Sequence, residues 1–210
     1  MLNKILGIAA LVASLAVALL SVAACGGDSP RPGELHGAVL AAPLPKADFT
    51  LTNTAGESFA FREETQGYVT LLFFGYTSCP DICPVHMANI AAVLRKLPPQ
   101  TASRVKVVMV TVDPERDTPE RLRTWLNAFD PSFVGLTGST EEVNGILRSL
   151  MLPPAVKQGE GETDYLMGHA AQVIAFTTDD RAHVVYPSGT RQVDWAHDLP
   201  LLVEADWRSE

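Results

Sequence analysis

The apolar residues of this chain fall into two kinds of pattern. Residues 68–74 (YVTLLFF) and 105–112 (VKVVMVTV) are nearly continuous apolar runs rich in β-branched and aromatic side chains, as expected of strands covered on both faces. Shorter runs at 133–136, 172–176 and 182–186 predict further strands, the last two joined around Thr178-Asp179-Asp180-Arg181. Residues 48–52 and 58–61 alternate on either side of Thr54-Ala55-Gly56-Glu57 and predict an N-terminal β-hairpin. Helical spacing replaces alternation at 84–97, where Ile90, Val93, Leu94 and Leu97 share a face and Pro98-Pro99 stops the run. Thr118 can cap and Pro119 can open a second helix, amphipathic to Phe129. Thr140 with Glu141 and Glu142 starts a third, running to about Leu150, because carboxylates suit a helix N-terminus. Residues 153–163 are rich in Pro, Gly and charge and read as a loop, and 193–205 form a last helix. The order β, β, β, α, β, α, β, α, β, β, α predicts an α/β fold, with βαβ units inside a mixed sheet flanked by helices.

The N-terminus has a different pattern. Lys4 precedes an apolar run over residues 5–20, followed by Ser21-Val22-Ala23-Ala24-Cys25. A basic start, a short apolar stretch and small residues form a secretory signal. The apolar run is just short of a usual membrane span. Val22-Ala23-Ala24-Cys25 resembles a bacterial lipobox, in which cleavage leaves an acylated Cys25 as the first residue. The competing reading is an uncleaved membrane anchor. Either one puts the remainder outside the cytoplasm, held at a bacterial membrane surface. Residues 26–33 have nothing to fold around. The expected organisation is a signal peptide at 1–24, a flexible tether at 25–42 and one folded domain at 43–208.

Composition narrows the function. With 210 residues, 47% hydrophobic and 19% charged, the chain is globular and has room for one sizeable core. Lys+Arg number 16 against 24 Asp+Glu, a net charge of −8. No basic run appears, which argues against a nucleic-acid partner. Three cysteines are too few for a disulfide-stapled scaffold.

Cys79 and Cys83 stand in Cys-Pro-Asp-Ile-Cys-Pro, directly after the first buried strand and at the entrance of a helix. Four-residue spacing there can put both sulfurs on one side. The helix N-terminus favours a thiolate. Such a pair can exchange with disulfides or hold a soft metal such as Cu(I). A purely structural disulfide would close only a tiny loop and stabilise little.

A metal needs a third donor, and there are five histidines. His36 in the tether, His183 in a hairpin strand and His197 on the last helix read as surface or internally satisfied residues. His86 is close to Cys83 but would have to point back toward the helix entrance. His169, in Asp164-Tyr165-Leu166-Met167-Gly168-His169-Ala170, sits in a loop just before a strand. Spacing alone does not choose among them.

Three segments together do. Residues 75–84 (GYTSCPDICP), 112–119 (VDPERDTP) and 164–169 (DYLMGH) resemble, in order and spacing, the three blocks of the Sco/SenC family, over about residues 44 to 205. The resemblance implies a thioredoxin-like fold and a membrane-tethered domain outside the cytoplasm. It implies copper bound by Cys79, Cys83 and His169, in the service of the dinuclear copper centre of cytochrome c oxidase. Gly168 stands where the family commonly has an acidic residue, and Ala170 where it has a hydroxyl residue. A lipobox replaces the family's usual single membrane helix.

Two thiolates and an imidazole suit Cu(I). With Cu(II), Asp113 is a candidate extra oxygen donor or an acceptor for a ligand's proton. Its alternative role is a turn residue before Pro114. Asp81 is expected to shape the loop or meet the partner, and Met87 and Met167 to pack in the core. Oxidation of Cys79 and Cys83 to a disulfide would eject the metal. Two functions follow: a copper chaperone with no turnover, whose partners are the copper-bearing oxidase subunit and other copper chaperones or thioredoxin-like reductants, or a thiol–disulfide oxidoreductase that reduces that subunit's cysteines. The CxxxC spacing and His169 favour the chaperone, since thioredoxin-type catalysts use Cys-x-x-Cys. The flanking residues do not match a peroxidase.

Overall fold

The two longest apolar runs lie side by side at the centre of the molecule. In the computed structural model, which describes residues 34–161 and 164–207, they form β4 (Val69–Gly75) and β5 (Val105–Thr111). The signal segment, Cys25 and residues 26–33 of the tether lie outside the described residues. The two strands pair in parallel from Val69↔Val105 to Gly75↔Thr111, and every residue of β4 is buried. That double coverage explains why neither run alternates.

Six more strands complete an 8-stranded mixed sheet in the order β1-β10-β9-β4-β5-β6-β2-β3. The expected hairpin is β2 (Thr50–Asn53) with β3 (Ser58–Ala60), and β2 joins β6 (Val134–Thr137) antiparallel. On the other side β9 (Val173–Phe176) pairs antiparallel with β4, and β10 (Arg181–Tyr186) follows it. The helices include α1 (Phe61–Glu64), α2 (Ile82–Leu94), α3 (Pro99–Ala102) and α4 (Pro119–Asn127). They continue with α5 (Thr140–Ser149) and α6 (Gln192–Glu204). Helices α2 and α6 pack on each other, and α4 packs on β6. None of these helices is long and apolar enough to cross a membrane.

Caps behave as their chemistry requires. The Thr118 side chain accepts from the Arg121 amide, with Pro119 in the first turn. Helix α5 starts at Thr140 as expected, and Ser139 and Glu142 form a reciprocal capping box before it.

Two segments depart from expectation. β1 (Ala38–Pro45) pairs with β10, so residues 38–42 belong to the sheet and not to a tether. Among the described residues it is an edge strand, where prolines such as Pro43 and Pro45 are tolerated. Its register shifts between Val39 and Leu44, which hides the alternation. The buried Lys46 fastens its end to Asp180 at 2.8 Å. The segment read as a loop at 153–163 contains β7 (Val156–Gln158), antiparallel to β8 (Leu166–Gly168) in a separate small sheet. Three exposed residues (VKQ) carry no periodicity to read.

Candidate metal centre

The register of the sheet brings the site together. Parallel β4 and β5 end at the same edge, where the Val112 amide donates to the Gly75 carbonyl at 2.8 Å. β9 runs the other way, and Phe73 faces Val173. The segment entering β9 therefore arrives where β4 leaves. Cys79 and Cys83 follow β4, and His169 precedes β9.

Helix α2 begins at Ile82, so Cys83 lies inside its first turn and is fully buried. Asp81 occupies the N-cap position but makes no side-chain cap bond. The Cys83 amide donates instead to Cys79 Sγ at 3.5 Å, so a sulfur occupies the acceptor position of the helix start. One donor atom from each of Cys79, Cys83 and His169 lies within 4.8 Å of the other two. Cys83 Sγ and His169 Nε2 are 3.8 Å apart. Neither cysteine is in a disulfide.

The two sulfurs are electrostatically unlike. Cys79 is partly exposed and is held down at about 3: the Cys83 thiol bonds to it, the His169 ring and backbone amides add to this, and together they outweigh burial. Cys83 is pushed far up, by sharing its proton with Cys79 and by burial. The reduced pair is thus one thiolate and one thiol. Burial opposes a charged His169 ring, but its bonds to Cys79 and to the Ala170 carbonyl raise it above the ordinary histidine value. His169 Nδ1 lies 3.0 Å from the Ala170 carbonyl oxygen, to which it donates, and this turns Nε2 toward the sulfurs.

Packing fixes the ring and the helix start. His169 meets Phe73 and Tyr76 edge-on at centroid separations of 6.0 and 5.6 Å. A Cβ on Gly75 would stand 2.5 Å from Phe73 Cε1 and 3.0 Å from Cys83 Sγ, so glycine is what lets that sulfur approach the strand end. Gly168 is covered by the Gln158 side chain from β7. Ala170 is buried.

Asp113 is not in the cluster. Its Oδ1 accepts from the Tyr165 hydroxyl at 2.7 Å and its Oδ2 from Arg116 Nε at 2.5 Å. Neither oxygen joins the donor atoms of Cys79, Cys83 and His169, and both are bonded locally. Its role is to brace: Arg116 also donates to the Tyr165 carbonyl at 3.0 Å and lies over that ring at 3.6 Å. Four residues on, Asp117 does the same for the cysteine loop. It accepts from the Thr77 amide at 2.9 Å, the Thr77 hydroxyl at 2.5 Å and the Thr111 hydroxyl at 2.7 Å. Arg121 extends this to Thr77 and Ser78, both at 2.9 Å. Residues 113–117 therefore tie the cysteine loop on one side and the base of the His169 hairpin on the other. Sequence reasoning missed Asp117, Arg116 and Tyr165. Their only signal was membership of the matched blocks.

The other histidines also have places. His86 is buried and does not point at the sulfurs. Its Nε2 lies 3.0 Å from the Ala171 carbonyl oxygen, and its ring sits between Phe73 and Trp195. His183 pairs with Asp179 at 2.8 Å. His36 and His197 stack on one another. Met87 is fully buried and Met167 packs against the core.

Residues 40–204 match the family model SCO1/SenC. The chain is 36% identical over 60% of its length to a putative copper-binding protein of Stutzerimonas stutzeri, covering 62% of that protein. It spans less than two thirds of the curated relatives first matched, 31% of a mitochondrial SCO1 homologue of Arabidopsis thaliana among them. Among solved structures it resembles Bradyrhizobium japonicum ScoI with copper bound, at 33% identity and TM-score 0.67, covering 75% of this chain and 99% of that one. It likewise resembles apo Sco1 of Thermus thermophilus, at 34% identity and TM-score 0.69, covering 81% and 95%.

Proposed function

Because the chain belongs to the SCO1/SenC family and has its thioredoxin-like mixed sheet flanked by helices, we propose that it is a copper-binding chaperone for assembly of cytochrome c oxidase. Its cargo is held by Cys79, Cys83 and His169 and delivered to the oxidase's dinuclear copper centre. The observation that carries this reading is the meeting of two sulfurs and an imidazole from separate elements within 4.8 Å. The donor chemistry fits copper: thiolates and imidazole are soft or borderline donors, and few ligands suit Cu(I). Copper would replace the Cys83 thiol proton, and the Nε2 proton when His169 carries one, leaving Nδ1 on its carbonyl. Stutzerimonas and Bradyrhizobium relatives described as copper-binding or copper-bound support the cargo.

In this reading the domain is held outside the cytoplasm at a bacterial membrane through acylated Cys25, with Leu35 already buried against the domain. A chaperone must release what it holds. Cys79 is partly exposed and already ionised, so it is the sulfur a partner's thiols meet first.

Copper titration of the reduced full-length chain under anaerobic conditions tests the assignment. His169→Ala should weaken Cu(I) binding at least tenfold while the Cys79–Cys83 disulfide still forms. Undiminished affinity would reject His169 as a ligand. The second reading, reduction of a partner's disulfide, draws support from the thiolate–thiol pair itself. It predicts that His169→Ala retains most of its reductase activity toward an oxidised copper-site peptide.

A further inference from the structure

Outside the cysteine centre, another set of metal-binding side chains converges where the chain enters β1. His36, just before that strand, stacks on His197 of α6 with centroids 4.0 Å apart and planes 4° from parallel. One donor atom from each of His36, His197 and Asp198 lies within 4.8 Å of the other two. We propose that these three residues form a second metal site, for a divalent cation of the Zn(II) or Cu(II) class.

The carboxylate is prepared for this role. Asp198 is fully buried, and its Oδ2 accepts from the Gly37 amide at 2.9 Å and the Tyr186 hydroxyl at 2.8 Å. The His36 amide, 3.0 Å from both oxygens, adds a further donor. Those neutral donors fix its orientation without neutralising it. The ring contact falls on Oδ1, which lies 2.7 Å from His197 Nδ1. An ion that replaces the Nδ1 proton takes over that contact and leaves Oδ2 undisturbed.

His36 is oriented in the same way. Its Nδ1 lies 3.0 Å from Asp194 Oδ1, and Arg191 holds Asp194 in place through a 3.0 Å pair. Nitrogens in parallel planes point along parallel directions, so binding one ion requires the rings to splay. Both are nearly half exposed, 45% and 43%, and have room to turn. Two imidazoles and a carboxylate suit Zn(II) and Cu(II), which take nitrogen and oxygen donors, and not a soft ion that prefers thiolate. The ion would staple the start of the sheet to α6, locking the point where the tether meets the domain.

The test uses the full-length chain, without an affinity tag, carrying Cys79→Ser, Cys83→Ser and His169→Ala so that the first centre is absent. Zn(II) calorimetry should give one saturable site, and Cu(II) electron paramagnetic resonance should show coupling to two imidazole nitrogens. His36→Gln and His197→Gln should each lower affinity at least tenfold. His183→Gln should leave it unchanged. Unfolding temperature without metal checks that each variant is folded. Absence of saturable binding in the parent, or affinity retained in either the His36 or the His197 variant, overturns the site.

Discussion

Asp117→Ala is the substitution that best separates the brace from the ligands. The carboxylate is fully buried, touches neither sulfur, and accepts the Thr77 amide and two threonine hydroxyls. Hydrogen bonds to a charged group contribute roughly 1.5–3 kcal/mol each, and a buried donor left unpaired costs about 1–3 kcal/mol. The three do not add. The Thr77 hydroxyl keeps its bond from Arg121, the Thr111 hydroxyl can rotate, and removal of a buried charge recovers part of its desolvation. The Thr77 amide has no such escape. A net loss of about 3 kcal/mol follows, equivalent to a fall in melting temperature of roughly 6–12 °C for a domain of this size. Urea unfolding of parent and variant measures the first, and thermal scans the second. Thr77 is two residues before Cys79, so Cu(I) affinity should fall at least tenfold even where the variant remains folded. Asp117→Asn, which keeps one acceptor, should recover most of the stability. A stability within about 1 kcal/mol of the parent, with copper affinity unchanged, would refute the claim that this carboxylate sets the loop.

Gly75→Ala should destabilise by about 1–3 kcal/mol, since overpacking forces neighbours off their rotamers, and should alter the ultraviolet sulfur-to-copper absorption because the new methyl meets Cys83 Sγ. His86→Ala should cost about 2–4 kcal/mol in urea and weaken Cu(I) binding, because the Ala171 carbonyl beside the His169 segment loses its donor; His86→Gln should restore part of both. Brief alkylation of the reduced, copper-free chain should label Cys79 before Cys83, as read by peptide mass spectrometry, because the first is an accessible thiolate and the second a buried thiol. Cys25→Ser should move the protein from the membrane fraction to the soluble one. Retention in membranes would favour an uncleaved anchor.

What could be read in the chain depended on whether a residue's role was local. β4 and β5 announced themselves because strands buried on both faces are nearly continuous apolar runs, whatever their neighbours do. Thr118 and Pro119 were legible because a helix cap is a contact over three residues. β1 was not, because an edge strand with two prolines looks like linker until its partner β10 is known. The β7–β8 hairpin was hidden by its shortness and exposure. In the site, the CxxxC pair was visible from its place between strand and helix, whereas the choice of His169 over His86 needed family resemblance. Spacing had put His86 nearer. The helix turns it toward Ala171 and the core, and that direction depends on tertiary packing. The surroundings of Asp113 were hidden for the same reason: nothing local shows that Arg116 and Tyr165 bond to its two oxygens.

The division of labour around residues 113–117 bears on how such a site can both hold and release a metal. The donors come from two elements that are not neighbours in sequence, and one short turn grips both: Asp117 through Thr77, and Asp113 with Arg116 through Tyr165. The grip falls on the bases of the loops and not on the donor atoms themselves. Around the donors, Cys83 is buried in the helix while Cys79 stays partly exposed. In the proposed reading this gives an order to transfer. Exchange begins at Cys79, which a partner's thiol can reach, proceeds while Cys83 and His169 still hold the ion, and ends with the reprotonation of Cys83. Burial and the contact with Cys79 favour the neutral thiol at Cys83 over the thiolate. The charge preference that opposes ionisation of Cys83 in the empty protein therefore works in favour of release once the first bond has been exchanged.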